Sequence, residues 1–160
     1  MTDLILRSYR EGDWRAMHAL DEVCFAEPFR FSRRAMRQFA EAPGALTLLA
    51  EQDAQLAGFC IVQIERQPVA REEQQAPIGY VVTLDVAPPW RRKGLARRLM
   101  QQIETDAYAA GVRSMELHVF AGNSGALQLY EALGYRHADV APDFYGKGFD
   151  ALVYHRLLAP

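Results

Sequence analysis

Five cations, Arg91, Arg92, Lys93, Arg97 and Arg98, surround a Gly94-Leu95-Ala96 step in a chain of 160 residues. The stretch from Asp85 to Leu99 reads as the end of a strand, a tight turn holding Pro88 and Pro89, and the start of a helix. The first amides of a helix have no intrahelical partner, and the helix dipole adds partial positive charge there. Basic side chains at that end cost about a few tenths of a kcal/mol each unless an anion joins them. Gly94 and Ala96 are small enough to let a phosphate reach the amides, so the turn reads as an anion cradle. It is neither of two common phosphate loops. There is no Gly-x-Gly-x-x-Gly, and Lys93-Gly94 lacks the Walker glycine before it and the Ser or Thr after it. A solvated basic turn and a nucleotide site remain as alternatives.

Proton chemistry is offered by Tyr80, His118 and Tyr130. Histidine accepts a proton most readily near neutrality, although a lone strand histidine is more often a plain surface or hydrogen-bonded residue. Tyr130 shares a helix face with Leu127 and Leu133, which equally describes a core aromatic. His18, His137 and His155 have no metal-ligand spacing, so no metal is expected.

The elements that must position these groups follow from periodicity. Leu4–Arg7 reads as a strand, and Asp13 as the cap of a helix carrying Met17, Leu20 and Val23. Pro28 interrupts, and Ser32 caps a short helix through Phe39. Runs 45–51 and 56–65 form a hairpin, and the polar run 66–76, with Pro68, is a loop. Ile78–Val86 is a Val-, Tyr- and Thr-rich central strand. A helix over 94–110 follows, with Leu95, Leu99, Ile103 and Ala107 one turn apart and Gly111 ending it. Ser114–Ala121 is a strand, Asn123-Ser124 opens a helix that ends before Gly134, and 135–140 and 151–157 are the last strands. The order gives an α/β (α+β) fold in a single domain over 1–160. A formal net charge of -2 argues against nucleic-acid or anionic-membrane partners. With no basic leader and no apolar run of membrane length, the protein is expected to be cytoplasmic. Its two cysteines, Cys24 and Cys60, are read as buried reduced thiols.

The pattern Arg91-x-x-Gly94-x-Ala96 after a strand resembles the pyrophosphate signature of the GCN5-related N-acetyltransferase (GNAT) superfamily. A second, linked segment resembles the same family: Leu117-His118-Val119-Phe120-Ala121-Gly122-Asn123, then Tyr130-Glu131-Ala132-Leu133-Gly134-Tyr135. The resemblance implies a mixed, mostly antiparallel sheet of about seven strands flanked by helices, with acetyl-CoA in a cleft between the two central strands. It implies coenzyme contacts from Leu84, Val86, Arg91, Arg92, Lys93, Gly94, Leu95, Ala96 and Asn123, Asn123 also standing as a helix N-cap. Tyr130 would protonate the leaving thiolate.

Within the family the segment is similar to the ribosomal-protein-alanine and N-alpha-acetyltransferase branch. His118, five residues before Asn123, stands where the bacterial enzymes of that branch carry a Glu. That departure resembles a eukaryotic type in which such a His and a Tyr on the preceding strand, here Tyr80, carry the acceptor's proton. The loop Phe144-Tyr145-Gly146-Lys147-Gly148-Phe149-Asp150-Ala151 is similar to the branch's paired-aromatic loop, with Phe144 replacing the first Tyr. Phe25 and Phe29 resemble the facing wall of the same groove, or pack as ordinary core. The resemblance thus implies acetylation of a peptide or protein N-terminus by a monomer or homodimer, Phe25, Phe29, Tyr80, Phe144 and Tyr145 holding the acceptor. A small-molecule amine or lysine acceptor, and a non-catalytic acetyl-CoA sensor, are the other readings.

Overall fold

The computed structural model describes residues 2–66 and 76–160. The expected loop with Pro68 lies, over residues 67–75, outside the described residues. Seven strands form one open sheet in the order β1-β2-β3-β4-β5-β7-β6. They are β1 (Ile5–Ser8), β2 (Ala45–Gln52), β3 (Gln55–Glu65), β4 (Ile78–Val86), β5 (Ser114–Phe120), β6 (Arg136–Ala141) and β7 (Ala151–Leu157). Every neighbouring pair is antiparallel except β4 and β5. The helices are α1 (Trp14–Cys24), α2 (Arg33–Ala40), α3 (Leu95–Ala109) and α4 (Ser124–Ala132). Among the described residues no helix is long and apolar enough to cross a membrane.

Period-two alternation divides the strands between two cores. On one face Leu48, Cys60, Val62, Val81, Met115, Leu117 and Val119 meet Leu95, Leu99, Met100 and Ile103 of α3 and Tyr130 of α4. On the other, Leu49, Phe59 and Ile61 meet Trp14, Met17 and Leu20 of α1 and Met36 of α2. Fully burying an aliphatic side chain such as Leu99 or Ile103 contributes about 1.5–3 kcal/mol. Gly58 is what lets α3 settle on the sheet. A Cβ there would lie 2.7 Å from the Asp85 carbonyl oxygen and within 3.4 Å of the Leu95 and Leu99 side chains.

Three expectations need correction. Asp13 precedes α1 but makes no capping bond. Its carboxylate is taken by Arg7, at 2.8 and 3.0 Å, and by the Arg10 amide at 2.7 Å. A charge-assisted fork outweighs a neutral cap bond. Val23 is 63% exposed, and the buried side of α1 runs instead through Trp14, Met17, His18, Leu20 and Asp21. Cys24 is only half-buried, whereas Cys60 is fully so; both thiols are free. The Ser32 cap is as expected, its hydroxyl accepting from the Ala35 amide at 3.0 Å.

The feature that matters most for a site is the parting of β4 and β5. They pair only from Ile78↔Ser114 to Val81↔Leu117. Beyond that point β5 stays with β7, while β4 stays with β3 as far as Val86. A bulge marks the fork: Ile61 pairs with Thr83 but Val62 with Val81, so Val82 is the extra residue. From Val82 to Val86, β4 therefore has one edge without a strand partner among the described residues.

Candidate active site

The fork opens between two kinds of structure. On one side lies the turn from β4 into α3. Gly94 sits at the helix cap with φ +81°, Arg92 is also left-handed at φ +60°, and no side chain caps the helix. The first helical amide to find a carbonyl is that of Arg98, bonded to Gly94 at 3.1 Å. The amides before it face outward among Arg92, Lys93 and Arg97, all exposed. Alternating handedness in such a turn gathers N–H groups into a concave anion site. Arg91 is exposed, and its Nε donates to the Val86 carbonyl oxygen at 2.9 Å, tying it to the end of β4. Leu95 is buried and Ala96 half-buried, which leaves their backbone as what they can offer a ligand.

The open edge of β4 adds a second element of fit. Leu84 and Val86 lie on it, and an unpaired strand edge presents N–H and C=O groups to any extended amide-bearing molecule. Across the fork, Asn123 caps α4, its Oδ1 accepting from the Ala126 amide at 3.1 Å. That bond uses only the oxygen of the side chain.

On the other side of the fork the β5 alternation places Glu116, His118 and Phe120 opposite the buried Met115, Leu117 and Val119. Tyr80 pairs with Glu116, and its hydroxyl lies 2.8 Å from His118 Nδ1. The phenol is the donor when the ring proton sits on Nε2, and the acceptor in the other tautomer. Burial, then the nearby Tyr145 hydroxyl and the carboxylates of Glu116 and Glu65, hold the Tyr80 phenol well above its ordinary pKa. Burial holds the His118 imidazole below its usual value, against the opposing pull of Glu116. The pair therefore rests neutral, with the phenol protonated. Phe144 lies flat on the His118 ring, with centroids 4.1 Å apart and planes within 9°.

An aromatic wall closes this side. Phe29 packs at 4.8 Å from Phe120, 5.1 Å from Tyr145 and 5.7 Å from Phe149. Phe144 meets Tyr145 edge-on at 4.9 Å. Burial pushes the Tyr145 phenol up to about 12. Tyr130 is buried on α4, its ring edge-on to Tyr135 at 5.7 Å, so it is a core aromatic as well as a candidate acid. Burial, with Cys60, Asp85 and Tyr145 nearby, holds its hydroxyl protonated far above neutrality.

Tyr80, His118, Phe29, Phe144 and Tyr145 thus converge, and Tyr145 links them to Tyr130. Phe25 does not join them. It terminates α1, its amide bonded to the Asp21 carbonyl and its own carbonyl to Arg30. Phe120, Phe149 and Glu116 belong to the cluster but were not singled out in the sequence. The alternation that places His118 on the open face also carries Glu116 and Phe120 there, which is the signal for two of them.

Comparison with known proteins identifies the family and the fold. The Acetyltransferase (GNAT) family model matches residues 14–135. N-alpha-acetyltransferase daf-31 of Caenorhabditis elegans is 26% identical over 158 residues, covering 96% of this chain and 82% of that protein. The structure of Arabidopsis thaliana NAA60 in complex with acetyl-CoA superposes with a TM-score of 0.83 at 20% identity, over 98% of this chain and 99% of that one. The ribosomal-protein-S18-alanine N-acetyltransferase of Escherichia coli gives 0.80 at 22% identity, over 99% and 96%.

Proposed function

The chain belongs to the acetyltransferase (GNAT) family and is an N-acetyltransferase that uses acetyl-CoA; from that premise we propose that its acceptor is the α-amine of a peptide or protein N-terminus. The observation that carries this reading is the Tyr80–His118 pair, bonded at 2.8 Å beneath a wall of Phe29, Phe144 and Tyr145. Such a wall suits a chain end that must enter narrow and extended, and the pair supplies a place for the amine's proton. The likeness to daf-31, an N-alpha-acetyltransferase, supports it.

Acetyl-CoA supplies the acetyl group as a thioester. The amides at the α3 N-terminus, with Arg92 and Lys93 beside them, bind the pyrophosphate, and Arg91 holds the turn by its bond to Val86. The open edge at Leu84 and Val86 and the Asn123 amide nitrogen hold the pantetheine arm. Tyr80 takes the amine proton, directly or through one water, as its own hydroxyl proton passes to Nδ1 of His118. The ammonium having given up that proton, the neutral amine nitrogen bonds to the acetyl carbon as the carbon–sulfur bond breaks; the second N–H proton, shed as the amide forms, passes to solvent, as does the proton held on His118. Tyr130, kept protonated by burial, donates to the departing thiolate and recovers a proton from solvent. Phe29, Phe144 and Tyr145 line the acceptor's entry.

The carboxylates of Glu65 and Glu116 near Tyr80 favour a second reading, a cationic small amine or a lysine side chain. Free-thiol release with acetyl-CoA separates the two. Short peptides with free N-termini should release coenzyme A, and matched lysine peptides blocked at Nα should not. Release confined to blocked lysine peptides or a polyamine would overturn the proposed acceptor.

A further inference from the structure

Two carboxyl groups meet in the core without a cation between them. Asp21 on α1 is fully buried and Asp85 on β4 is 1% exposed. Each has one satisfied oxygen. Asp21 Oδ2 accepts from the Phe31 amide at 2.9 Å, and Asp85 Oδ1 from the Thr83 hydroxyl at 2.6 Å. The remaining oxygens, Asp21 Oδ1 and Asp85 Oδ2, are buried and have no hydrogen-bond partner among the described residues, while the two carboxyl groups lie within reach of each other. Two buried carboxylates cannot stand in contact with both charges; one proton between them turns the repulsion into a hydrogen bond.

The surroundings say what this contact joins. Through Phe31, Asp21 ties down the segment 25–31, which carries Phe29 into the aromatic wall. Asp85 stands between Leu84 and Val86 on the open edge of β4. A second tie runs alongside, from the Cys24 thiol to the Val86 carbonyl oxygen at 3.4 Å. The contact therefore links the acceptor side of the fork to the coenzyme side.

We propose that Asp21 and Asp85 are positioning residues that share one proton, and that this proton holds the 25–31 wall in register with the coenzyme strand. The inference rests on the proposed acceptor site for its effect on catalysis, though not for the pair itself. The groups that face the pair are Thr83 on β4, Cys24 on α1, Arg91 after β4, Cys60 on β3 and Tyr130 on α4. Arg91 is the one cation among them and favours the ionised form. Burial and Asp21 outweigh it, holding Asp85 well above the usual carboxylate range. A group raised in the folded state contributes stability that is complete at low pH and is lost as pH rises through its folded value. Loss of the shared proton should accordingly loosen the wall on the alkaline side.

The test has two arms. Hydrogen exchange of the 25–31 amides, corrected for intrinsic rates, should show protection falling as pH rises through the range above that of an ordinary carboxylate. The KM of whichever amine is turned over should rise about fivefold or more across the same range at saturating acetyl-CoA, with less change in kcat. Asp85→Asn and Asp21→Asn each set an amide donor against the one remaining carboxylate, so the contact no longer needs a shared proton and either should flatten both profiles. Asp85→Ala should loosen 25–31 at every pH. Wild-type protection that does not change with pH would overturn the proposal. So would Asn variants that keep the wild-type slope, or a KM that moves while the wall does not. If no amine is turned over, the proposed acceptor falls, and the exchange arm still decides the pair.

Discussion

The two sides of the fork are made in opposite ways. The proposed coenzyme side is, apart from Asn123, a single run from Leu84 to Arg98, and its main parts are backbone groups: an unpaired strand edge and an uncapped helix start, with cations beside them. The proposed acceptor side is assembled from Phe29 before α2, Tyr80 on β4, His118 and Phe120 on β5, and Phe144, Tyr145 and Phe149 before β7, all of them side chains. A local, backbone-built site tolerates many side-chain exchanges and fails when the chain cannot adopt its turn. A side-chain site fails at single atoms.

Substitutions on the two sides should therefore separate cleanly. The largest effect is expected from His118→Ala, which removes the proton's destination. Turnover should fall about 100-fold or more, with acetyl-CoA affinity by calorimetry unchanged. Tyr130→Phe keeps the packed ring and loses one hydroxyl, so kcat should drop about 10- to 100-fold, again without loss of coenzyme affinity; unchanged kcat would remove Tyr130 from the mechanism. Gly94→Val tests the other side. A β-branched residue at φ +81° costs about 1–2 kcal/mol, so acetyl-CoA binding should weaken about tenfold while the acceptor's KM stays put. Phe144→Ala should cost about three- to tenfold in kcat/KM for the acceptor, the worth of one aromatic stack. The smallest signal is a pH shift. His118 must be neutral to accept a proton and burial lowers its pKa, so the rate should climb with pH through a midpoint below the ordinary 6.5. Exposing the ring in Phe144→Ala should move that midpoint upward.

The same contrast explains what could be read from the sequence. Arg91 to Ala96 carries its own signal because strand, turn and helix start are contiguous. The spacing of Leu95, Leu99, Ile103 and Ala107 was enough to place α3 against the sheet. The two Phe residues missed at 120 and 149 owe their place to Phe29, more than ninety residues earlier, and no local pattern records that meeting. Helix α1 shows a different limit. An apolar stripe through Met17 and Leu20 leads on to Val23, yet the buried position is Asp21, because a partner on β4 makes a carboxyl group tolerable in the core. Asp13 failed as a cap for a related reason, since the competing arginine lies on β1. Polar residues are hardest to place from sequence because their cost depends on a partner elsewhere.

The extra residue at Val82 also makes β4 a strand with two reading frames. Before it, side chains toward α3 fall on odd positions such as Val81; after it they fall on even ones, Leu84 and Val86. Losing one residue from this strand would turn Tyr80 away from His118 or the downstream half away from α3, but not both. The bulge thus works as a seam. Each half can be rewritten by mutation, natural or designed, while the other keeps its phase, so a new acceptor can be tried without relearning how to hold the coenzyme.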